Sequence, residues 1–148
     1  MTAPLTSTLQ VRVRYADTDR MGIVHHARFL EYLEMGRVEL MRDTGISYRD
    51  LEARGILYPV IELWVRYRRS LTFDDVVSVR TWYRELSRTR VTFAYCLTAP
   101  DGEVAAEALT LHAQTDASGR PVAIDEAVAA RVRPNLLEED PARGRLRG

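Results

Sequence analysis

The sequence predicts an α+β fold, a curved antiparallel sheet of five or six strands wrapped around one long central helix. Three observations carry that reading. Residues 27–42 space their apolar side chains at a helical period, with a stripe too broad for a helix lying on the surface. Most of the chain beyond alternates at period two, in segments joined by turns too tight for parallel crossovers, which forces antiparallel pairing. One long helix must bury its stripe against something large, and the sheet is the only partner of that size.

Each element has a local reason. Residues 9–15, LQVRVRY, alternate as a half-buried strand does. A polar, turn-like stretch follows. In the helix Phe29, Leu33, Gly36 and Leu40 form one stripe, which Leu30, Val38 and Met41 widen. Gly45 can adopt the left-handed conformation that ends a helix. Ser47 caps a second, short helix reaching about residue 54. Strands follow at 57–69, 75–86, 89–98 and 103–115, with Ile61, Leu63, Val65 and Tyr67 alternating against Glu62, Trp64, Arg66 and Arg68 in the first. Ser87 and Arg88 make a hairpin, and Pro100-Asp101-Gly102 a turn in which proline presets φ. A brief strand is expected near 121–124. Asp125 is positioned to cap a last helix over 126–132, which Pro134 stops.

Composition narrows the function. The chain has 148 residues, one domain's worth, and they divide into a domain over 1–134 and a frayed tail over 135–148. The 21 basic and 21 acidic residues cancel, against a nucleic-acid partner. All 21 basic residues are arginine, which excludes Schiff-base chemistry and a phosphate loop ending in lysine. A lone Cys96 excludes a disulfide framework, and mid-strand it reads as a small core residue. No apolar run approaches the ~20 residues of a membrane span. The opening MTAPLTSTLQ has no signal-peptide character, so a cytoplasmic protein is expected.

The chemistry concentrates in DTDRMGIVHH, residues 17–26, which runs into the long helix. Two carboxylates two residues apart, a glycine and a helix N-terminus stand together. Free N–H groups at a helix start polarise a carbonyl, and a carboxylate facing that carbonyl is the minimal apparatus for hydrolysing an activated acyl group. The same residues also read as turn formers, with Gly22 making the bend. Other motifs fail on detail. A calcium loop beginning at Asp17 would place Met21 and Arg28 at ligand positions. His25, His26, His112 and Cys96 lack zinc-site spacing, and there is no Gly-x-Ser-x-Gly elbow.

The segment YADTDRMGIVHHARFL, residues 15–30, resembles the signature of the 4-hydroxybenzoyl-CoA thioesterase-like hotdog proteins, most of all their bacterial short-acyl-CoA thioesterase branch. The likeness extends over roughly residues 9–133. It implies a hotdog fold and hydrolysis of an acyl-CoA thioester to free acid and CoA. It gives Asp19 the catalytic carboxylate's role, as nucleophile forming a mixed anhydride or as general base on water. It gives His26 the backbone N–H that holds the thioester oxygen, with its imidazole near substrate. Asp17 then stabilises the loop and His25 has no catalytic part. A related branch carries its carboxylate on the helix, which makes Glu34 a backup base. Gly22, Val24, Tyr58 and Pro59 are implied at the acyl group, and Arg88 and Arg90 at the CoA nucleotide. Of these arginines only Arg88 matches the family's basic cluster, since Ser87 and Thr89 depart from it. The resemblance further implies no metal, no cofactor other than the CoA carried by the substrate, and a homodimer or homotetramer with the acyl pocket between subunits, the 57–69 strand being a candidate for the pairing. Rival readings are an acyl-thioester hydratase or dehydratase on the same fold, a non-catalytic acyl-CoA-binding module, and nucleic-acid binding through Arg66–Arg69 and the arginine-rich tail.

Overall fold

A computed structural model describes residues 3–139. Five strands, β1 (Ser7–Arg12), β2 (Val60–Tyr67), β3 (Val76–Leu86), β4 (Arg90–Thr98) and β5 (Val104–Ala113), form one antiparallel sheet in the order β1-β3-β4-β5-β2. Three helices accompany it: α1 (Arg28–Asp43), α2 (Tyr48–Ala53) and α3 (Glu126–Val132). The sheet curves around α1, whose Phe29, Tyr32, Leu33, Gly36, Leu40 and Met41 are buried against Val77, Val79, Phe93, Tyr95 and Leu97. Among the described residues no helix is long and apolar enough to cross a membrane.

Gly36 sets how closely α1 lies on the sheet. A Cβ built there would stand 2.5 Å from Thr81 Oγ1 and 2.7 Å from Val79 Cγ1, closer than any side chain tolerates. The helix is thus pressed onto two β-branched residues of β3 at its midpoint. Gly45, at φ +84°, ends α1, and the Ser47 hydroxyl accepts the Asp50 N–H at 3.2 Å to cap α2.

Several elements differ from the sequence reading, each for a local reason. Leu30 is 38% exposed, because Tyr32 occupies the flank of the helix that faces the sheet. The strand expected near 121–124 is a single bridge, Thr115 to Pro121; proline has no N–H with which to extend a ladder. Asp125 precedes α3 but makes no cap, since its carboxylate is taken by Arg54 at 2.6 Å. Residues 137–139, assigned to the tail, lie along the outer face of the sheet, after Leu136 packs against the main core. There the Leu137 N–H donates to Tyr83 O at 2.9 Å and Trp82 Nε1 donates to Glu139 O at 3.0 Å. Leu137 joins a second, small apolar cluster of Trp82, Ala94 and Leu109. Residues 140–148 of the expected tail lie outside the described residues.

The close approach at Gly36 makes a prediction. Alanine is the better helix former by about 1 kcal/mol, but an extra methyl in a filled core costs about 1–3 kcal/mol. Gly36→Ala therefore lowers stability, read as a fall in melting temperature; an unchanged or raised value would show that α1 is not pressed onto Thr81 and Val79.

Candidate active site

The loop between β1 and α1 is built around Asp17, which is fully buried at the end of a one-turn 3-10 helix, Tyr15–Asp17. Its Oδ1 accepts from Arg14 Nη2 at 2.8 Å, and its Oδ2 accepts from the Arg14 N–H at 2.9 Å and the Tyr32 hydroxyl at 2.8 Å. Its carbonyl accepts the His25 N–H at 2.8 Å. Burial pulls this carboxyl upward, but the hydrogen bonds from Arg14 and Tyr32 and the guanidinium charge outweigh it and hold the group below its ordinary value. Tyr32 responds in the opposite sense, pushed up by burial and by its bond to Asp17. Asp17 thereby ties the loop to α1.

From that anchor the chain makes a small hairpin. Thr18 bridges Val24, the Asp19 N–H donates to Ile23 O at 2.9 Å, and the Gly22 N–H donates to Asp19 O at 3.0 Å. Gly22 sits at φ +79°, where a side chain is strained. The hairpin docks on residues 71–72, through the Val24 N–H to Leu71 O at 2.8 Å and a bridge from Ile23 to Thr72. Within it, Asp19 Oδ1 accepts the Met21 N–H at 2.8 Å. That bond fixes the carboxylate in an Asx turn and leaves Oδ2 without a partner among the described residues.

Asp19, Met21, Ile23, Val24, His26 and Phe29 line one side of a cleft of about 310 Å³; Tyr67, Arg68, Arg69 and Ser70 line the other. The helix opens slightly later than the sequence places it. Ala27 is the N-cap, and His26 stands in a turn closed by the Arg28 N–H to His25 O at 2.9 Å. His25 has a structural role instead: its Nδ1 accepts the Ala27 N–H at 3.1 Å, the bond a capping side chain would otherwise make. The His26 N–H has no partner among the described residues. The Tyr67 hydroxyl pins that residue by donating to His26 O at 2.8 Å, and the His26 ring stacks on His25 with centroids 4.3 Å apart. The cleft's two arginines are paired from behind, Arg68 with Glu107 at 2.7 Å and Arg69 with Asp101 and Glu103.

The structure thus brings together Asp19, His26 and Val24, with Gly22 shaping the loop beneath them. The other sequence-predicted residues stand elsewhere. Glu34 is exposed, two turns along α1, and is not a lining residue of the cleft. Tyr58 is buried, with its hydroxyl on Gln114, while Pro59 is exposed at the start of β2. Arg88 and Arg90 lie at the β3–β4 hairpin. The pairings Arg90–Ala113 and Val60–His112 put that hairpin at the same end of the sheet as Pro59, whereas the cleft is at the Tyr67 end of β2. Tyr67 was missed because a strand's last residue carries no mark of the loop that will dock on it; Arg68 and Arg69 showed only as part of a dense basic group. A larger groove of about 530 Å³ between α1 and α2 holds none of the predicted residues. Its lining carboxylate, Glu52, sits on the six-residue α2, whose start the Ser47 hydroxyl caps.

A curved antiparallel sheet of five strands wrapped on one long helix is a hotdog-like fold, one shared with solved thioesterases. Residues 13–132 match the Thioesterase-like superfamily, and the chain belongs to that family. YneP of Bacillus subtilis (strain 168), a protein named for acyl-CoA thioesterase activity, is 36% identical over 110 residues, 74% of this chain and 80% of its own. The acyl-CoA thioester hydrolase YbgC of Escherichia coli O6:H1 is 27% identical over 121 residues, 81% of this chain and 90% of its own. The crystal structure of a DHNA-CoA thioesterase from Staphylococcus aureus superposes with a TM-score of 0.83 at 29% identity, covering 86% of this chain and 91% of that one. The chain is an enzyme of the thioesterase kind.

The Asp17 anchor makes a prediction with a definite sign. A carboxyl held below its ordinary value of 3.8 stabilises the fold fully above that pH, and the contribution is lost as pH falls through the lower folded value. Asp17→Asn, which weakens a buried, fully bonded acceptor, costs about 1–3 kcal/mol near neutrality. Melting curves across acidic pH then show the wild type losing its advantage over the variant below about pH 4. A constant gap across the whole range would remove Asp17 from this role.

Proposed function

We propose that this enzyme hydrolyses an acyl-CoA thioester to the free carboxylic acid and CoA, with Asp19 as the reacting carboxylate and the His26 N–H as the oxyanion donor. One observation carries the reading: Asp19, whose Oδ2 has no partner among the described residues, and His26, whose N–H has none among them either, line the same cleft. As general base, Oδ2 takes a proton from water while the water oxygen attacks the thioester carbon. The carbonyl oxygen becomes an oxyanion, stabilised by the N–H. The carbon–sulfur bond then breaks, and the proton goes to the departing CoA sulfur. As nucleophile, Oδ2 attacks the same carbon, CoA leaves, and water opens the anhydride. Both routes need the one free oxygen, and neither uses a cofactor beyond the CoA that enters with the substrate.

The substrate outgrows the cleft. A volume of about 310 Å³ is at the small end of ligand sites and holds the thioester with part of what it joins. The remaining binding residues, Pro59, Arg88 and Arg90, are at the far end of β2, an eight-residue strand spanning about 27 Å. That strand is a sheet edge, and its Val60, Ile61, Leu63 and Tyr67 are 44–49% exposed, as is fitting for a surface that pairs. Antiparallel pairing of β2 with β2 of a second copy lays the Val60 end of one subunit beside the Tyr67 end of the other. A homodimer of this kind supplies Pro59 and the arginine hairpin to the neighbour's cleft, and a homotetramer is two such dimers.

Two measurements test this reading. Asp19→Asn keeps the Asx turn, because an amide oxygen accepts the Met21 N–H equally well. The variant folds and melts as wild type, yet its thiol release from acyl-CoA falls at least ~100-fold, the scale of a lost acid–base group. Retained hydrolysis would take the chemistry away from Asp19. Leu63→Glu puts a charge in the middle of the β2 edge; sedimentation velocity then finds a monomer, and hydrolysis is lost with the dimer. A folded, fully active monomer would refute the shared site.

A further inference from the structure

The helix-facing side of β5 and the residue just past its end are polar for a core: Thr110 and His112 of the strand and Gln114 after it are all buried, and the hydrolysis described above uses none of them. His112 Nδ1 is 2.9 Å from Tyr58 O, and its Nε2 is 2.8 Å from Thr110 Oγ1. A carbonyl only accepts, so Nδ1 carries the proton. Burial, with the nearby Arg37 charge, pushes this imidazole down to about 4, which keeps it neutral and makes Nε2 an acceptor. The Thr110 hydroxyl must therefore donate to Nε2. Its oxygen in turn accepts from the Tyr95 hydroxyl at 2.6 Å, and Tyr95 accepts from Arg37 Nη1 at 3.4 Å. Every proton in the chain is assigned, and all run one way: from α1, through β4 and β5, to the carbonyl of Tyr58.

That carbonyl stands where the β2–β5 ladder is weakest. Leu57 and Thr115 exchange both backbone bonds, at 3.0 and 2.9 Å. Further along, residue 59 is a proline with no N–H to give, and between Val60 and Glu62 the register slips by one residue in a bulge. β5 makes up for the gap with side chains. His112 holds the Tyr58 carbonyl, and Gln114 accepts the Tyr58 hydroxyl while its own amide donates to Ala123 O at 3.0 Å. Immediately beyond, Val60 and Ile61 are 49% and 45% exposed. A fully bonded polar chain adds little net stability over an apolar core, but it holds a single geometry.

We infer that His112 is a positioning residue: its Nδ1–H, fixed in one tautomer by the Arg37–Tyr95–Thr110 chain, holds the start of β2 so that Val60 and Ile61 form the apolar step against which the neighbouring subunit's acyl group is measured. This inference rests on the β2-paired dimer proposed above. It makes acyl-chain preference depend on a side chain that touches no substrate.

Thiol release across short aliphatic, branched, long aliphatic and aromatic acyl-CoAs tests it, with three variants of the full chain. His112→Phe removes both bonds at similar size. His112→Asn puts an amide N–H where Nδ1–H stands. Thr110→Val cuts the chain one link upstream. The expected result is that His112→Phe raises KM about tenfold for the preferred acyl group and reorders the panel, with kcat within about twofold. His112→Asn restores the wild-type order, and Thr110→Val moves KM the same way by less. If His112→Phe fails to fold, Thr110→Val alone decides. The inference is overturned if the folded variants keep the wild-type KM and acyl order, if His112→Asn is as impaired as His112→Phe, or if the loss falls on kcat equally for every acyl group. Those outcomes, with wild type active and Asp19→Asn inactive, leave the proposed hydrolysis standing. A wild type that releases thiol from no acyl-CoA overturns the hydrolysis instead.

Discussion

One buried carboxylate holds the site together. Taking an ion out of water costs several kcal/mol unless every lone pair finds a donor, and Asp17 meets that condition with Arg14 on one side and Tyr32 of α1 on the other. The bond to Tyr32 joins the loop to the helix, and the bond from the His25 N–H to the Asp17 carbonyl fixes where the backbone turns into that helix. The hairpin bearing Asp19 hangs between these points and its dock on residues 71–72. Two carboxylates that look alike in sequence thus divide the work: one is consumed by structure, and the other keeps an oxygen free.

A second constraint comes from the sheet's open edge. Within one chain the reactive cleft and the arginine hairpin are at opposite ends of β2. The ends of that strand are about 27 Å apart, and the proposed two-fold pairing of β2 would bring the two regions together across subunits without moving either. The same pairing covers an edge that would otherwise expose both its backbone groups and its apolar side chains. In that proposed dimer the tasks would be split, one subunit holding the thioester and the other shaping the pocket around what the thioester carries.

The sequence made the architecture legible because period is a strong signal. Residues 27–42 read as a helix, and 9–15, 57–69, 75–86, 89–98 and 103–115 as strands, so an antiparallel sheet of five or six strands around one helix followed from pattern and turn length, and the structure has five. The failures sit where a side chain has two possible partners. Asp125 reads as a cap but prefers Arg54, and Leu30 reads as core but yields that place to Tyr32. The acidic pair was visible as candidate chemistry, yet the singling out of Asp17 as the anchor depends on Arg14 and Tyr32, which lie on different elements. Tyr67 was illegible for a similar reason: its hydroxyl reaches His26 across a distance of 41 residues in sequence. The polar chain behind β5 shows no motif at all, because alternation marks which face a residue occupies and not whom it meets there.

The turn-forming and catalytic readings of Asp19 are not rivals once the oxygens are counted separately. A carboxylate has two, and the Asx turn uses one. Asp116 shows what a turn-forming aspartate looks like when nothing more is asked of it: one oxygen gathers the N–H groups of Ser118 and Arg120 and the Ser118 hydroxyl in a turn whose tip is open to solvent. Asp19 makes a single such bond, and it lines a cleft with Phe29, Tyr67 and His26, whose N–H has no partner among the described residues. In the proposed hydrolysis the bond to Met21 would be part of the chemistry, since it sets the other oxygen's direction before substrate arrives and leaves less to reorganise as charge develops. A turn that merely reversed the chain would work as well with asparagine, and under the proposed mechanism hydrolysis is where the two residues would part.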